Sequence, residues 1–196
     1  MVRVPVCLML VTIITYICSC HQIECDEGAA VKCESTGKKI RGCYCKTAET
    51  RDGPYVETIS DDDGGGYRVD GRYCDGVLCG EERRWWKDTG KLAWIGFWRG
   101  GRKEGAWMMW APDGKPRLQR TYVDGLVDGV VVFFDERGLV AGTQSYRAGH
   151  ISGIQQNFDR SGACVAAWMW DTPTEKRRIP CPVPAVTRIL ESLPPP

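Results

Sequence analysis

The residues of this 196-residue chain best suited to covalent or metal chemistry are its eleven cysteines and two histidines. The cysteines stand at 7, 18, 20, 25, 33, 43, 45, 74, 79, 164 and 181. Cys25, Cys33, Cys43 and Cys45 lie close enough in sequence to gather round one zinc ion. Against zinc, the paired C-x-x-C spacing is absent and both histidines, His21 and His150, lie elsewhere. Setting Cys7, Cys18 and Cys20 aside leaves Cys25, Cys33, Cys43, Cys45, Cys74, Cys79, Cys164 and Cys181. In an exported protein this even set reads as a disulfide framework. Connectivity does not follow from sequence, but Cys25 with Cys43 or Cys45, Cys74 with Cys79 across the Gly76 turn, and Cys164 with Cys181 are the expected pairings.

Other chemistry is sparse. His150 occupies a turn position whose counterparts are Val77, Arg102 and Leu126, with no recurring partner for general-base work. Asp61-Asp62-Asp63 offers carboxylate oxygens to a cation, yet the twelfth position of a calcium loop counted from Asp61 is Arg72. Asp113 and Asp128 are turn-borne carboxylates on which an enzyme acting on envelope polymers would have to rely, and neither has a matched acid at fixed spacing. The expectation is a protein with no catalytic residues, no cofactor and no metal.

The front end suggests where the chain works. Arg3 precedes an apolar run from Val4 to Ile17, too short for a membrane-spanning helix and suited to an export signal. Ile17-Cys18-Ser19-Cys20 resembles a bacterial lipobox, which implies acylation of Cys20 and a chain tethered to the membrane by its N-terminal lipid, facing the periplasm or cell surface. Net charge is +1 with acidic and basic residues interspersed, so no basic block marks a nucleic-acid ligand.

The centre of the chain is repetitive. Gly90, Gly114, Gly138 and Gly162 are each 24 residues apart, preceded four residues earlier by Trp86, Trp110, Phe134 and Phe158. Eight residues after each glycine stand Trp98, Tyr122, Tyr146 and Trp170, and the pairs Gly101/Gly105, Gly125/Gly129 and Gly149/Gly153 recur at the same step of 24. Gly129 to Phe134 is a β-branched and aromatic run, Asp135 to Gly138 a polar turn, and Leu139 to Tyr146 a return strand. Two strands and two glycine turns fit this period, and such hairpins must stack to bury their aromatic columns. The fold class is therefore all-β: a meander of stacked antiparallel β-hairpin repeats in an elongated open sheet, with a disulfide-rich N-terminal cap. Trp85, Trp94 and Trp107 alternate with column positions and are the candidate exposed rings for binding.

The pattern Tyr122-x-x-Gly125-x-x-x-Gly129, echoed from Tyr146 and Trp98, resembles the MORN repeat in the variant form carried by bacterial YwqK-type antitoxins. The likeness covers about Gly53 to Trp170; Cys79, Glu104, Asp128 and Ser152 stand where that family often has histidine. The resulting organisation is a signal peptide at 1–19, a cysteine-rich tether and cap at 20–52, repeats at 53–171 and a proline-rich tail at 172–196, with Ala185 to Leu193 as a short helix. The expected function is non-catalytic: an envelope-tethered scaffold that recognises a protein partner or surface ligand. The resemblance adds toxin neutralisation as an alternative.

Overall fold

Turn chemistry organises the chain. In the computed structural model, Asp75-Gly76, Gly100-Gly101, Asp124-Gly125 and Ala148-Gly149 each place two successive residues at positive φ, from +48° at Ala148 to +85° at Gly125. Two such residues make the mirror-image turn whose twist matches that of the strands it joins, so each closes a tight hairpin. At the opposite end of each unit the amides of Gly90, Gly114, Gly138 and Gly162 donate back to the carbonyls of Trp86, Ala111, Asp135 and Asp159 at 2.8–3.0 Å. These two turn types alternate along the chain and fold it into a meander.

The structure describes residues 23–25, 30–36, 40–46, 50–60 and 65–182, without the side chains of 33–36, 40, 41 and 60. The expectations for the export signal, for Cys20, for Asp61 to Asp63 and for a helix at 185–193 lie outside the described residues. Among the described residues fourteen strands form one antiparallel sheet: β1 (Ala30–Thr36), β2 (Ile40–Lys46), β3 (Arg51–Ser60), β4 (Gly66–Cys74), β5 (Val77–Trp86), β6 (Leu92–Arg99), β7 (Arg102–Trp110), β8 (Pro116–Val123), β9 (Leu126–Val127), β10 (Gly129–Phe134), β11 (Val140–Arg147), β12 (His150–Phe158), β13 (Cys164–Trp170) and β14 (Lys176–Ile179). Spatial order follows chain order, with the short β9 pairing β8 beside β10. There is no helix among the described residues.

The second glycine of each pair has its own task. Gly80, Gly105 and Gly153 have φ between +66° and +71° and Gly129 has +104°, and each lies where the ladder to the preceding strand shifts register. A bulge there needs a backbone conformation that a Cβ opposes, and it bends and twists the strand at every unit.

The meander carries two hydrophobic clusters on opposite faces. Alternation along each strand and the cross-strand register put Tyr44, Tyr55 and Val69, with Ile59, Tyr67, Tyr73 and Leu78 against them, on what we term the front face. Met108, Trp110, Val132 and Phe134, with Leu92, Ile95 and Val140, pack on the back. Val132 is 1% exposed and anchors the back cluster.

One expected column member is displaced. Trp110, Phe134 and Phe158 pair with Pro116, Val140 and Cys164 across their hairpins, and the residue in the matching register of the preceding hairpin is Trp85, opposite Leu92, not Trp86. Trp86 instead opens the turn, where Ala111, Asp135 and Asp159 stand in later units, and its ring packs on Tyr67 at 4.8 Å on the front face. The turn following Trp86 is one residue longer than its successors, since the Trp86 amide reaches Lys91 whereas Ala111 reaches Lys115. A constant sequence step of 24 therefore hides a shift by one residue, which in a strand reverses the face.

Disulfides secure both flanks. Cys25–Cys45, Cys74–Cys79 and Cys164–Cys181 are closed, with Cα atoms 5.6, 5.7 and 5.9 Å apart. Cys43 is also disulfide-bonded. The N-terminal cap is itself made of sheet strands, β1 and β2, and the tail contributes β14, which covers the outer edge of β13. Covering a strand edge removes a template for unwanted pairing. These three bonds fit an oxidising compartment.

Candidate recognition face

The front face draws its side chains from two columns that the glycine spacing sets. Two residues beyond the bulge glycines Gly53, Gly80, Gly105, Gly129 and Gly153 come Tyr55, Glu82, Trp107, Val131 and Gln155. Two residues before the tight turns come Tyr73, Trp98, Tyr122 and Tyr146, and Trp170, opposite Gly153, ends β13 in the same column. Rings of neighbouring units meet: Tyr55 with Tyr73 at 4.9 Å, Trp98 with Trp107 at 5.4 Å and Trp107 with Tyr122 at 5.8 Å. Two glycines without positive φ make room for this layer. A Cβ on Gly96 would lie 2.1 Å from the Trp107 ring, and one on Gly71 would lie 2.5 Å from that of Tyr55.

A carboxylate stands between Tyr55 and Trp107 in the first of these columns. Glu82 is 3% exposed. Its Oε2 accepts from the Tyr55 hydroxyl at 2.8 Å and from the Trp98 indole nitrogen at 3.1 Å, and its Oε1 accepts from Arg84 Nε at 2.8 Å. A buried charge is tolerated when it is paired and hydrogen-bonded, and Glu82 is both. Burial, reinforced by the charge of Glu82, pushes the Tyr55 phenol well above its ordinary range. Glu57 is also raised, chiefly by burial, with Arg51 opposing the shift and Glu82 adding to it.

Cations cover the rings. Lys103 Nζ lies 4.6 Å from the Trp107 centroid, 5.2 Å from Tyr122 and 5.8 Å from Trp98. Arg120 lies over Tyr122 at 5.7 Å and Trp94 at 5.9 Å, Arg51 over Tyr44 at 4.1 Å, and Lys176 over Trp170 at 4.9 Å. The ring quadrupole attracts each cation, by about 0.5–1 kcal/mol at exposed sites. Burial depresses the Lys103 amine below the usual lysine range, and the neighbouring charges of Arg120 and Arg84 add to the effect. Beside the cations runs a row set by register, from Arg84 through Trp94, Met109 and Leu118 to Phe133. Phe133 ends it 42% exposed.

The three candidate rings part company. Trp94 lies on the front face under Arg120. Trp85 is on the back, 5.4 Å from the Arg68 guanidinium. Trp107 is only 3% exposed, which overturns its expected exposure, because it fills the space left by Gly96 and is covered by Lys103. Trp110, Phe134, Phe158 and Tyr122 are buried column members, while Trp98, Tyr146 and Trp170 are half-buried.

The carboxylates that chemistry would have needed are occupied with turns. Asp113 Oδ1 accepts the Lys115 amide at 3.0 Å. Asp128 Oδ2 accepts the Ala148 amide of the next tight turn at 2.9 Å, as Glu104 does for Asp124 at 3.0 Å. His150 is exposed beside its turn. No group of three or more metal-ligating side chains occurs among the described residues. An open recess of about 470 Å³ at the far end is lined by Val165 to Ala167 and Arg178 to Cys181, with no acid in its wall.

Sequence reasoning missed Glu82, Lys103, Arg120, Met109, Leu118 and Phe133. Each occurs once rather than in every unit, so a search for what repeats discards them. Glu82, the one charged residue in a column otherwise made of Tyr55, Trp107, Val131 and Gln155, was the available signal.

Fold and face together define an all-β repeat protein with one open sheet and a ring-and-cation surface. No protein-family model and no curated protein matches this chain.

Proposed function

We propose that this protein is a non-catalytic recognition scaffold of MORN-variant type, exported and tethered to a bacterial envelope through a lipid on Cys20, which binds a protein partner across its front face. The observation that carries the reading is the half-exposed row Trp94, Met109, Leu118 and Phe133 beside ring-stacked Lys103 and Arg120. Tryptophan, tyrosine and arginine set among apolar neighbours are the composition of energetically dominant interface patches. Three disulfides support the export element of the reading.

Strand β10 supplies an internally controlled test, because Val130 and Phe133 are equally exposed, at 43% and 42%, and point to opposite faces. A photo-crosslinking residue is placed at one or the other position in the cells that make the protein. A discrete adduct from position 133 and none from 130 is the expected result. Adducts from both, from neither, or from 130 alone overturn the assignment of the front face.

A further inference from the structure

The front-face cations are unevenly matched. Arg84 is paired with Glu82, whose oxygens already serve Tyr55 and Trp98 as well. Lys103 and Arg120 meet no carboxylate among the described residues and are stacked on rings instead, both over Tyr122. Glu82 is already paired with Arg84, so Lys103 on β7 and Arg120 on β8 are left on the same face with no salt-bridge partner among the described residues. Like charges held close over low-polarity rings repel more strongly than they would in water. Burial is the first cause of the depressed Lys103 amine; the charges of Arg120 and then Arg84 add to it, and that of Glu82 opposes it. An oxyanion between the two side chains would relieve the repulsion and gain charge-assisted hydrogen bonds from both.

We infer that Lys103 and Arg120 form the anion-binding point of the front face, and that its ligand is a carboxylate side chain of the partner protein, carried in a segment that presents apolar side chains to Met109, Leu118 and Phe133. The inference rests on the front face being the contact surface. Met109, Leu118 and Phe133 lie on neighbouring strands spaced about 4.8 Å apart, so the row spans roughly 10 Å, a length that an extended segment of about three residues covers. A saccharide requires open ring faces for stacking, whereas Trp107 is buried and Trp94 lies beneath Arg120. A phospholipid headgroup supplies the oxyanion but leaves Met109, Leu118 and Phe133 without side chains to cover them.

The test uses the whole disulfide-bonded protein and four probes: a terminally blocked peptide Asp-Ser-Leu-Ser-Leu-Ser-Leu, whose aspartate and leucines fall on one side when extended, its asparagine counterpart, inorganic phosphate, and phosphatidylglycerol vesicles. The indole N–H resonances of Trp94 and Trp98 report binding. The aspartate peptide is expected to shift both, and the asparagine peptide to bind roughly tenfold more weakly for want of the charge. Lys103→Gln with Arg120→Gln should abolish the shifts, and Lys103→Arg should retain them, which separates lost charge from lost fold. Equal binding of the two peptides, or no shift with either, overturns the carboxylate. Stronger binding of phosphate or vesicles replaces the peptide with a phosphate ligand and overturns the proposal likewise. A crosslink from position 133 that persists in the double glutamine variant, with the peptides silent, refutes the anion point while leaving the contact face intact. Loss of that crosslink from the native protein removes the face itself.

Discussion

The N-terminal strands β1 to β5 and the central strands β6 to β12 solve the same problem, burying apolar surface on a single sheet, with different means. In the first region a tyrosine cluster on the front face is joined to the buried Glu82 and reinforced by Cys25–Cys45 and Cys74–Cys79. In the second, a tryptophan, methionine and valine cluster packs on the back, the turns are nearly identical, and no disulfide closes within it among the described residues. Where the unit is regular, its turn glycines and stacking suffice. Where it is irregular, covalent bonds and an ion pair on a buried carboxylate stand in for regularity.

The sharpest way to break this contrast is at its junction. Glu82→Ala leaves the Tyr55 hydroxyl, the Trp98 indole and the half-buried Arg84 guanidinium without their acceptor, and each buried donor left unmade costs about 1–3 kcal/mol, roughly 3 kcal/mol or more together. Chemical denaturation should show that loss; a cost below 1 kcal/mol (roughly the worth of a surface pair) would mean the network is not structural. Gly96→Ala follows, since its Cβ would meet the Trp107 ring at 2.1 Å and overpacking of this kind costs about 3 kcal/mol. Thermal melting measures it, and the adjacent central strands should report the damage first.

Reduction separates the two regions directly. The 20-residue separation of Cys25–Cys45 corresponds to about 3 kcal/mol in the chain-entropy picture. With reductant, amide hydrogen exchange should quicken in β2 to β4 while β7, β8 and β10 to β12 keep their protection. Uniform quickening would show that the whole sheet is one cooperative unit.

Acid acts with opposite sign in the two regions. Burial raises the pKa of Glu57 and of Asp70, so each binds its proton more tightly folded than unfolded, and lowering the pH through the carboxylate range favours the fold there. Asp135 is lowered by the Leu139 amide foremost, and Asp159 by the Ser161 hydroxyl and then by backbone amides. Their stabilisation is present above the ordinary aspartate pKa and disappears as pH falls through the depressed values. Between neutral pH and pH ~3, below the unperturbed aspartate value, exchange at the Leu139 and Ala163 amides should rise ahead of that in β3 and β4, after correction for intrinsic rates. The smallest effect is expected at Ala148, held at φ +48°, where Ala148→Gly should raise the melting temperature slightly, by relief of about 1 kcal/mol of backbone strain less the entropy of the freer unfolded chain.

The sheet, its turns and the flanking disulfides were legible in the sequence because each depends on local chemistry repeated at fixed spacing. Gly125 and Gly149 announce tight turns wherever they stand, and Cys74 and Cys79 are near enough in sequence to bracket one. What was illegible depends on parity. Trp85 and Trp86 exchange faces through one extra turn residue that the glycine count does not reveal. Lys103 and Arg120 come together only through the pairing of β7 with β8 and a shared ring, and neither fact has a local signature.

The carboxylates Glu104 and Asp128 each reach forward to the turn of the following unit, bridging the same 20 positions. Such contacts make a unit's stability depend on its immediate successor and on nothing beyond it. A gene that gains or loses one unit in frame, with its acid and its turn, therefore keeps every junction already present. Length becomes a trait that inheritance can adjust by whole steps, widening or narrowing the front face without redesign of its ends.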